Sequence, residues 1–416
     1  MAQELKSQTA FERTRIGPVE VLLVPRPDSG MIAARALFRR AAVDESESDH
    51  GLASFTTAML MRGTRRRSSE QMAFDLESLG AQANESDGMD RCALSLQSSA
   101  RVGHQALEIL FEALREPAFD PHEHEICRQE TLAHLRMIED EKFGFTYREH
   151  LKNMFAGHGY GHPVEGQIED VSALTPEDCR RWHAEAIRPE TLMLVVGGDF
   201  AVDDMKNHLA GFLHGWDAEA PLRPRQQAEP PVHRPRHVEL TKPELHQGFI
   251  VAGFRTPTVQ HPDYPALRLA SAALGEGFCG RMFTNLRDRR GLAYALGSKL
   301  SALRLAGHQV LFIGTKPDSI DEARDGLFEE AEAIRGHPLQ PEDFERARQY
   351  VIGKYLMARQ SLARRIGWLA WWEDVADNAA LDAAFPDRLR EVTPGDLQRA
   401  AEQWWRDPTV TILRPE

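Results

Sequence analysis

The sequence lacks several features that would assign it to a particular class of protein. No run of about 18 apolar residues is present, so a membrane-spanning helix is not expected. Basic residues do not predominate, because 50 Lys and Arg stand against 63 Asp and Glu, for a net charge of −13. A non-specific nucleic-acid binder needs a basic surface to displace counterions from phosphates. The sequence therefore argues against that function.

Cysteine is scarce, and no two cysteines are close in sequence. A zinc knuckle or a redox dithiol is not expected, because both need a Cys-x-x-Cys pair. The first residues, Met-Ala-Gln-Glu-Leu-Lys, lack the apolar segment of a secretory signal, which predicts a cytoplasmic protein. A chain from which a signal peptide had been removed would look the same and would be periplasmic. The four cysteines are Cys92, Cys127, Cys179 and Cys279.

The chain contains an internal repeat. The helix start at Asp120-Pro121 returns at Gln340-Pro341, 220 positions later, and the start at Thr175-Pro176 returns at Thr393-Pro394, 218 positions later. Each copy continues with a helix that contains tryptophan and ends in an apolar strand. Self-similarity at a nearly constant offset indicates two homologous units.

Alternating and helical patterns predict an α+β fold of two homologous repeats. Each repeat is expected to be a mixed, mostly antiparallel sheet covered by helices on one face. The predicted domains are residues 1–217, a proline-rich linker at 218–236, and residues 237–416. In the first repeat the pattern predicts strands at 17–25, 31–38, 91–97 and 191–196, with helices at 51–62, 68–79 and 105–114.

A stretch in the second repeat, Leu-Arg-Asp-Arg-Arg-Gly-Leu-Ala-Tyr, combines a helix end with a strand start. Arg287 is predicted to close the helix, Gly291 to adopt the left-handed conformation of a helix C-cap, and Tyr294 to open the strand. The two polar side chains could then converge across a tight turn. A surface arginine and a half-buried strand tyrosine are the alternative interpretation. Three glycines precede the stretch, namely Gly275, Gly277 and Gly280.

Together with this stretch, three earlier segments resemble the pitrilysin and insulin-degrading-enzyme family, which includes mitochondrial processing peptidase. The resemblance extends over nearly the whole chain and implies the LuxS/processing-peptidase type of metallopeptidase fold. Arg287 and Tyr294 match the family's arginine and tyrosine pair. The matching segments are Gly51-Leu52-Ala53 to Gly63-Thr64, Leu79-Gly80-Ala81, Tyr160 to Gly166, and Leu286 to Tyr294.

The chain departs from the family at the zinc motif. Family enzymes carry His-x-x-Glu-His directly after the Gly-Leu-Ala segment, because two imidazoles one helical turn apart hold the metal and the carboxylate accepts a proton from water. The matching positions here are Ser54-Phe55-Thr56-Thr57-Ala58. Ser54, Thr57 and Ala58 supply neither an imidazole nor a general base. Glu130 falls near the position of the family's third ligand, and we expect no metal on this chain.

Other histidines offer a relocated zinc site as an alternative. His122 and His124 are two apart in a predicted helix and point away from each other. His158 and His162 lie in a glycine-rich loop that resembles a structural turn of the family. Solvated histidines are the preferred interpretation of both pairs.

Two further features are expected to be structural. The seven tryptophans, mostly late in the chain, are predicted to pack in the core, although an exposed subset would favour a protein partner. The basic run at 62–67 is predicted to be a solvated loop.

The resemblance implies a zinc-lacking, substrate-binding subunit of a heterodimeric zinc metallopeptidase that cleaves peptides in a closed chamber. Zinc and its ligands would lie on a homologous partner chain. Arg287 would bind the peptide, Tyr294 would donate to the developing oxyanion, and the three glycines would let their loop shift. The alternatives are a non-catalytic scaffold or peptide-binding homodimer of the same fold, and an autonomous metallopeptidase with a different site.

Overall fold

The computed structural model describes residues 10–216, 222, 224–226, 228–243 and 245–416. The first residues, on which the predicted location depends, lie outside the described part. So do residues 218–221, 223 and 227 of the predicted linker. The domain boundaries drawn from sequence therefore stay a prediction.

Eleven strands are present in the described residues. They are β1 (Glu12–Ile16), β2 (Val19–Pro25), β3 (Met31–Phe38), β4 (Gln82–Ser86), β5 (Cys92–Ser99), β6 (Leu192–Gly198), β7 (His237–Lys242), β8 (Gly248–Thr256), β9 (Ala295–Ala302), β10 (Gly307–Thr315) and β11 (Thr409–Pro415).

Fourteen α-helices accompany these strands in the same described residues. They are α1 (Leu52–Met59), α2 (Ser69–Ser78), α3 (Gly103–Arg115), α4 (Pro121–Asp140), α5 (Lys142–Met154), α6 (Ile168–Ala173), α7 (Pro176–Ala186), α8 (Val202–Leu213), α9 (Tyr264–Gly275), α10 (Ile320–Gly336), α11 (Pro341–Met357), α12 (Leu362–Ala376), α13 (Leu381–Glu391) and α14 (Pro394–Trp404). None of the described helices is both long and apolar enough to cross a bilayer.

Two of the four predicted helix starts, those at Thr175 and Thr393, are formed by reciprocal capping. The Thr175 hydroxyl accepts a hydrogen bond from the Asp178 N–H, and the Asp178 carboxylate accepts one from the Thr175 N–H. Thr393 and Asp396 make the same pair at the start of α14. Each capping box satisfies two backbone donors that the first helical turn leaves unpaired. The repeat predicted from these caps is therefore visible in their geometry.

The two sheets have the same strand order. The first is β1-β2-β6-β3-β5-β4, and the second is β7-β11-β8-β10-β9. In each sheet one pair is parallel, β2 with β6 and β7 with β11, and the other pairs are antiparallel. Apart from the extra edge strand β1, every strand of the first sheet thus has an equivalent in the second. The predicted α+β fold of two mixed sheets is confirmed.

The chain forms two compact units that do not follow the simple order of the sequence. The first unit comprises Met1–Arg136, His162–Gln226 and Ala358–Ala383, and the remainder forms the second. Helix α12 therefore belongs to the unit of the first sheet, and α5 belongs to the unit of the second sheet. The two helices occupy matching places in the repeat, since Leu362 follows Lys142 by 220 positions.

These exchanged helices cover the second face of each sheet. One face of the first sheet packs against α1, α3 and α7, and the other face packs against α12. In the second unit, α5 packs on β8 and β11. Helices thus cover both faces, whereas the sequence predicts one covered face. The apolar strand pattern shows that a face is buried but does not identify the segment that covers it.

Candidate functional site

The predicted Arg/Tyr segment lies in the second unit and begins with an unusual helix. Residues Phe283–Arg289 form a π-helix, a rare conformation that is frequently found at functional sites. The segment then turns at Gly291, whose φ of 65° is left-handed as predicted. The Leu292 N–H donates to the Leu286 carbonyl at 2.8 Å, which closes the turn. Because Leu286 and Leu292 are both buried, the turn is anchored to the core.

The arginines of this segment differ in how they are used. Arg290 forms ion pairs with Glu329 at 2.7 Å and Glu322 at 3.1 Å. Arg281 pairs with Glu330 at 2.9 Å, and Arg289 donates to the Asn285 side chain at 3.1 Å.

Arg287 is the exception. Its guanidinium lies over the Phe283 ring at 4.4 Å and, within the described part of the chain, has no hydrogen-bond or ion-pair partner. Arg287 is exposed. Its planar donor fork is therefore both held in place by the ring and available to a ligand.

Tyr294 combines a fixed backbone with a free side chain. Its N–H donates to the Gly314 carbonyl at 3.0 Å, next to the start of β9. The residue is 58% exposed. Among the residues that the structure describes, none forms a hydrogen bond with its hydroxyl. The phenol is therefore positioned by the sheet and open to solvent.

The three predicted glycines allow close packing and a sharp turn in the loop that precedes the Arg/Tyr segment. A Cβ on Gly275 would lie 2.9 Å from the Ser298 Cβ, and one on Gly280 would lie 3.1 Å from the Gly275 Cα. Gly277 has a left-handed φ of 102°. The loop borders a cavity of about 400 Å³, with the exposed Phe278 at its edge. A binding role for these glycines stays a prediction.

The positions of the family's zinc motif lie on α1 in the first unit. The Ser54 hydroxyl donates to the Asp87 carboxylate. Thr57 is buried, and its hydroxyl donates to the Ala53 carbonyl at 2.7 Å, inside the same helix. Ala58 offers only a methyl group. These side chains are satisfied within the protein and do not present the imidazole nitrogens that zinc prefers.

Glu130, near the predicted third-ligand position, is engaged elsewhere. Its carboxylate forms an ion pair with Arg62, which also lies 3.8 Å from Glu123. The Arg62 guanidinium therefore lies against the Glu130 carboxylate, where a metal ion bound by that carboxylate would have to lie. Across the described residues, no three His, Cys, Asp or Glu side chains are grouped to hold a metal. The donor set does not fit a zinc ion.

A carboxylate that the sequence analysis did not single out caps this helix. Glu45 is buried and accepts hydrogen bonds from the Gly51 N–H at 3.0 Å and the Ala53 N–H at 2.7 Å. Burial raises the pKa of the Glu45 carboxyl to about 8, against the opposing effect of these two donors. The available signal was an acidic residue a few positions before the Gly-Leu-Ala segment. Its role is to hold the start of α1.

The remaining histidines have structural surroundings. His124 is buried with its ring 4.9 Å from that of Phe55, and burial lowers its pKa. His158 is hydrogen-bonded to the Ala228 carbonyl at 3.0 Å and accepts from the Tyr160 N–H at 3.1 Å. His122 is exposed. His124 and His158 are thus buried, not solvated as predicted, because their rings pack against Phe55 and Tyr160. His162 is half-buried, with its ring 4.1 Å from that of His50.

The fold and these positions define a two-repeat α+β protein of the metallopeptidase type, whose zinc-motif positions in the described residues carry no zinc ligand. Residues 41–167 match the family model for Insulinase (Peptidase family M16), and residues 173–351 match the model for the Peptidase M16 inactive domain. The chain therefore belongs to peptidase family M16, as the sequence motifs predict.

Relatives of the chain include proteins named as zinc proteases and one named as an inactive metalloprotease. An uncharacterized zinc protease of Streptomyces coelicolor is 23% identical over 89% of this chain and 82% of its own length. The probable inactive metalloprotease YmfF of Bacillus subtilis is 22% identical over 77% of this chain and 76% of its own. The crystal structure of a peptidase M16 inactive domain from Pseudomonas fluorescens superposes with a TM-score of 0.90 at 19% identity, covering 98% of both chains.

Proposed function

We propose that this chain is the substrate-binding subunit of a two-chain zinc metallopeptidase. A homologous partner chain supplies the zinc and the groups that cleave the peptide bond, and the two chains form a heterodimer. The cytoplasm remains the proposed location. The observation that carries the proposal is the availability of Arg287 and Tyr294, which sit on an anchored turn without partners in the described residues while the adjacent arginines are engaged.

Arg287 has the chemistry to hold a peptide in register. A guanidinium presents a rigid fork of donors that fits a peptide carbonyl or a carboxylate, and bidentate contacts of this kind fix orientation as well as affinity. The Phe283 ring beneath it limits the positions of the side chain. Less side-chain freedom is then lost when the peptide binds.

Tyr294 has the chemistry to stabilise developing charge. During cleavage the peptide carbonyl oxygen becomes negative, and the phenolic O–H donates a hydrogen bond to that oxygen. One preorganised donor of this kind contributes about a hundredfold in rate. The backbone bond to Gly314 holds the ring at the start of β9 while its hydroxyl stays available.

The experiment reconstitutes the pair of chains and varies one atom. We expect the purified chain alone to show no peptidase activity, and the addition of its cognate zinc-bearing homologue to produce activity. Tyr294→Phe should then lower kcat at least tenfold, with the assembled mass unchanged by sedimentation. Arg287→Gln should raise KM, whereas Arg289→Gln, which removes the same charge from the same helix, should not.

Three results would contradict the proposal. Wild-type turnover by the Tyr294→Phe complex would remove the role given to the phenol. A chain that forms only homodimers and stays inactive with zinc-bearing homologues encoded in the same genome would favour a scaffold of the same fold. Metal-dependent cleavage by the lone chain would instead favour an autonomous enzyme.

A further inference from the structure

A second cavity, in the first unit, has an unusual concentration of positive charge and aromatic surface. It has a volume of about 380 Å³ and lies between the β3 and β5 strands and helix α12. Arg35, Arg91 and Arg364 contribute to its wall, together with Trp368 and Trp371. None of the described residues that line it is acidic. An arginine-rich wall without carboxylates is typical of a site for an anion.

Arg35 is one of the three arginines in this wall. It projects from β3 and donates to the hydroxyls of Ser95 and Ser86, both at 2.9 Å. These are neutral acceptors, and no carboxylate in the described part of the chain pairs with it. The Arg35 Nε is inaccessible to solvent and has no hydrogen-bond partner there. Burial and the nearby Arg91 lower the pKa of Arg35. A cation in this environment gains from an anion that enters the cavity.

The other two arginines of the wall, Arg91 and Arg364, bring no carboxylate that pairs with Arg35. Arg91 is already paired with the buried Asp374 at 2.6 Å, and that carboxylate is shared with Arg225. Arg364 is exposed, and its guanidinium has no ion-pair partner among the described residues. The cavity wall therefore contains two guanidinium groups, those of Arg35 and Arg364, that no carboxylate among the described residues neutralises. A carboxylate fits the donor fork of either one.

The tryptophans supply an apolar wall next to this charge. Trp368 and Trp371 meet edge to face with ring centroids 5.5 Å apart, and both are only half-buried. Gly367, one residue before Trp368 in α12, also lines the cavity, and an added Cβ there would contact nothing within 4 Å. Its missing side chain leaves space beside the rings. A flat or branched apolar group would fill that space and bury the exposed indole surface.

We propose that this cavity binds a carboxylate attached to an aromatic or large apolar group, as at the C-terminal end of a peptide. The carboxylate pairs with Arg35 and Arg364, and the apolar group lies against Trp368 and Trp371. The identification of the occupant as the end of a peptide rests on the proposed function. Binding of an aromatic carboxylate by the lone chain does not depend on it.

The test uses the full chain without a partner and measures Kd by calorimetry. The probes are N-acetyl-L-phenylalanine, its neutral amide, and phenyl phosphate, which carries a different oxyanion on an aromatic ring. We expect the carboxylate to bind at least tenfold more tightly than the amide and more tightly than phenyl phosphate. Equal binding of acid and amide would overturn the proposal, and tighter binding of phenyl phosphate would overturn the assignment to a carboxylate.

Two variants test separately the positive charge of the cavity and the space inside it. Arg35→Gln removes one cation of the wall and should weaken binding of N-acetyl-L-phenylalanine at least tenfold. Gly367→Leu removes no charge but fills the cavity from α12, and should abolish binding. The matched control is Gly353→Leu, at another helical glycine whose added Cβ would meet open space and which lies outside the cavity. Unchanged binding by a folded Gly367→Leu protein would show that the ligand binds elsewhere.

The outcome is distinguishable from a failure of the proposed function. A chain that binds the carboxylate but yields no peptidase with a partner would keep the cavity and lose the function. A complex whose activity depends on Tyr294, built from a chain that does not bind the carboxylate, would do the reverse.

Discussion

The two repeats solve the same packing problem with different chemistry. In the first unit, α12 is fixed to its sheet by charge. The buried Asp374 lies 2.6 Å from Arg91, 2.8 Å from Arg225 and 3.8 Å from Arg39. The adjacent Glu373 forms a further pair with Arg13.

In the second unit, the equivalent helix α5 is fixed by neutral groups. Tyr147 and His308 share a hydrogen bond of 2.8 Å, and His150 and Thr411 share one of 3.2 Å. Burial lowers the pKa of both histidines to about 3. An aromatic cluster completes the contact, with Phe143 packed against Phe249 and Phe312.

This difference shows that topology does not fix the forces that hold an element. One sheet needs a carboxylate to be ionised, and the other needs two imidazoles to be neutral. The two units should therefore respond differently to the loss of a single charge and to acid.

The largest effect is expected from the charged clamp, which consists of Asp374 and its ion pairs with Arg91, Arg225 and Arg39. Asp374→Ala leaves three arginines around a buried site without their carboxylate, and breaking a buried ion pair in this way costs about 3–5 kcal/mol. Chemical denaturation of the full chain should show the loss, with hydrogen exchange placing it in α12 and β3. The matched control is Asp343→Ala, a half-buried helix carboxylate paired with Arg346 at the surface, which should change stability by less than about 0.5 kcal/mol. A similar small change for both would mean that the clamp does not hold α12.

Acid should first weaken the neutral clamp, which consists of the Tyr147–His308 and His150–Thr411 hydrogen bonds. His150 and His308 titrate near pH 6.5 when unfolded but near pH 3 when folded, so the unfolded chain binds more protons in between and stability falls as the pH falls below 6.5. Each histidine should cost about 2 kcal/mol between pH 6.5 and pH 5. Asp374, whose pKa is lowered, keeps its contribution until the pH falls below the ordinary range of a carboxyl group.

Hydrogen exchange at pH 7 and pH 5 distinguishes these responses. Amides of α5 and β10 should lose protection at pH 5, whereas those of α12 should retain theirs. His308→Gln should reduce the acid sensitivity, with the exposed His134→Gln as the control for loss of a histidine. Equal loss of protection in both helices would contradict the difference between the units.

A smaller effect is expected from the close approach of α5 to its sheet. A Cβ on Gly253 would lie 2.3 Å from the His150 Nε2 and 2.5 Å from the Met154 Cε. Gly253→Ala should therefore destabilise the chain by about 1–3 kcal/mol through overpacking. Gly211→Ala, in an exposed part of α8 with open space around it, should stabilise by about 0.5–1 kcal/mol. Thermal denaturation of both variants gives the sign, and a stabilising Gly253→Ala would show that α5 moves away without cost.

Local features of this fold could be predicted from sequence, because they depend on neighbouring residues. The strand predicted at 31–38 matches β3, and the caps at Thr175 and Thr393 form as expected. The left-handed turn at Gly291 follows from glycine's freedom at positive φ. The π-helix before it could not be predicted, since its apolar spacing is that of an ordinary helix.

Features that depend on distant residues could not be predicted. One partner of Arg13 is Glu373, 360 positions away, and no local pattern marks that pair. The basic run at 62–67 is predicted to be solvated, and Arg65 and Arg66 are exposed, but Arg67 pairs with the buried Glu112 and Arg62 with Glu130. The packing of α12 on the first sheet and of α5 on the second could not be predicted for the same reason, because it depends on residues far apart in sequence. Resemblance identified the Arg287 and Tyr294 positions, but only the structure shows that they lack partners in the described residues.

The smallest effect on stability is expected at the candidate site itself. Arg287 is exposed and contacts the Phe283 ring, so Arg287→Gln should change the free energy of unfolding by less than about 1 kcal/mol. Arg290, on the same short segment, holds Glu329 and Glu322, so Arg290→Gln should cost at least as much. Denaturation curves and the peptide affinity of the assembled complex should then distinguish the two variants. The first variant should lose affinity with little loss of stability, and the second should do the opposite. Equal losses of affinity in both would mean that the segment acts through its fold rather than through a free guanidinium.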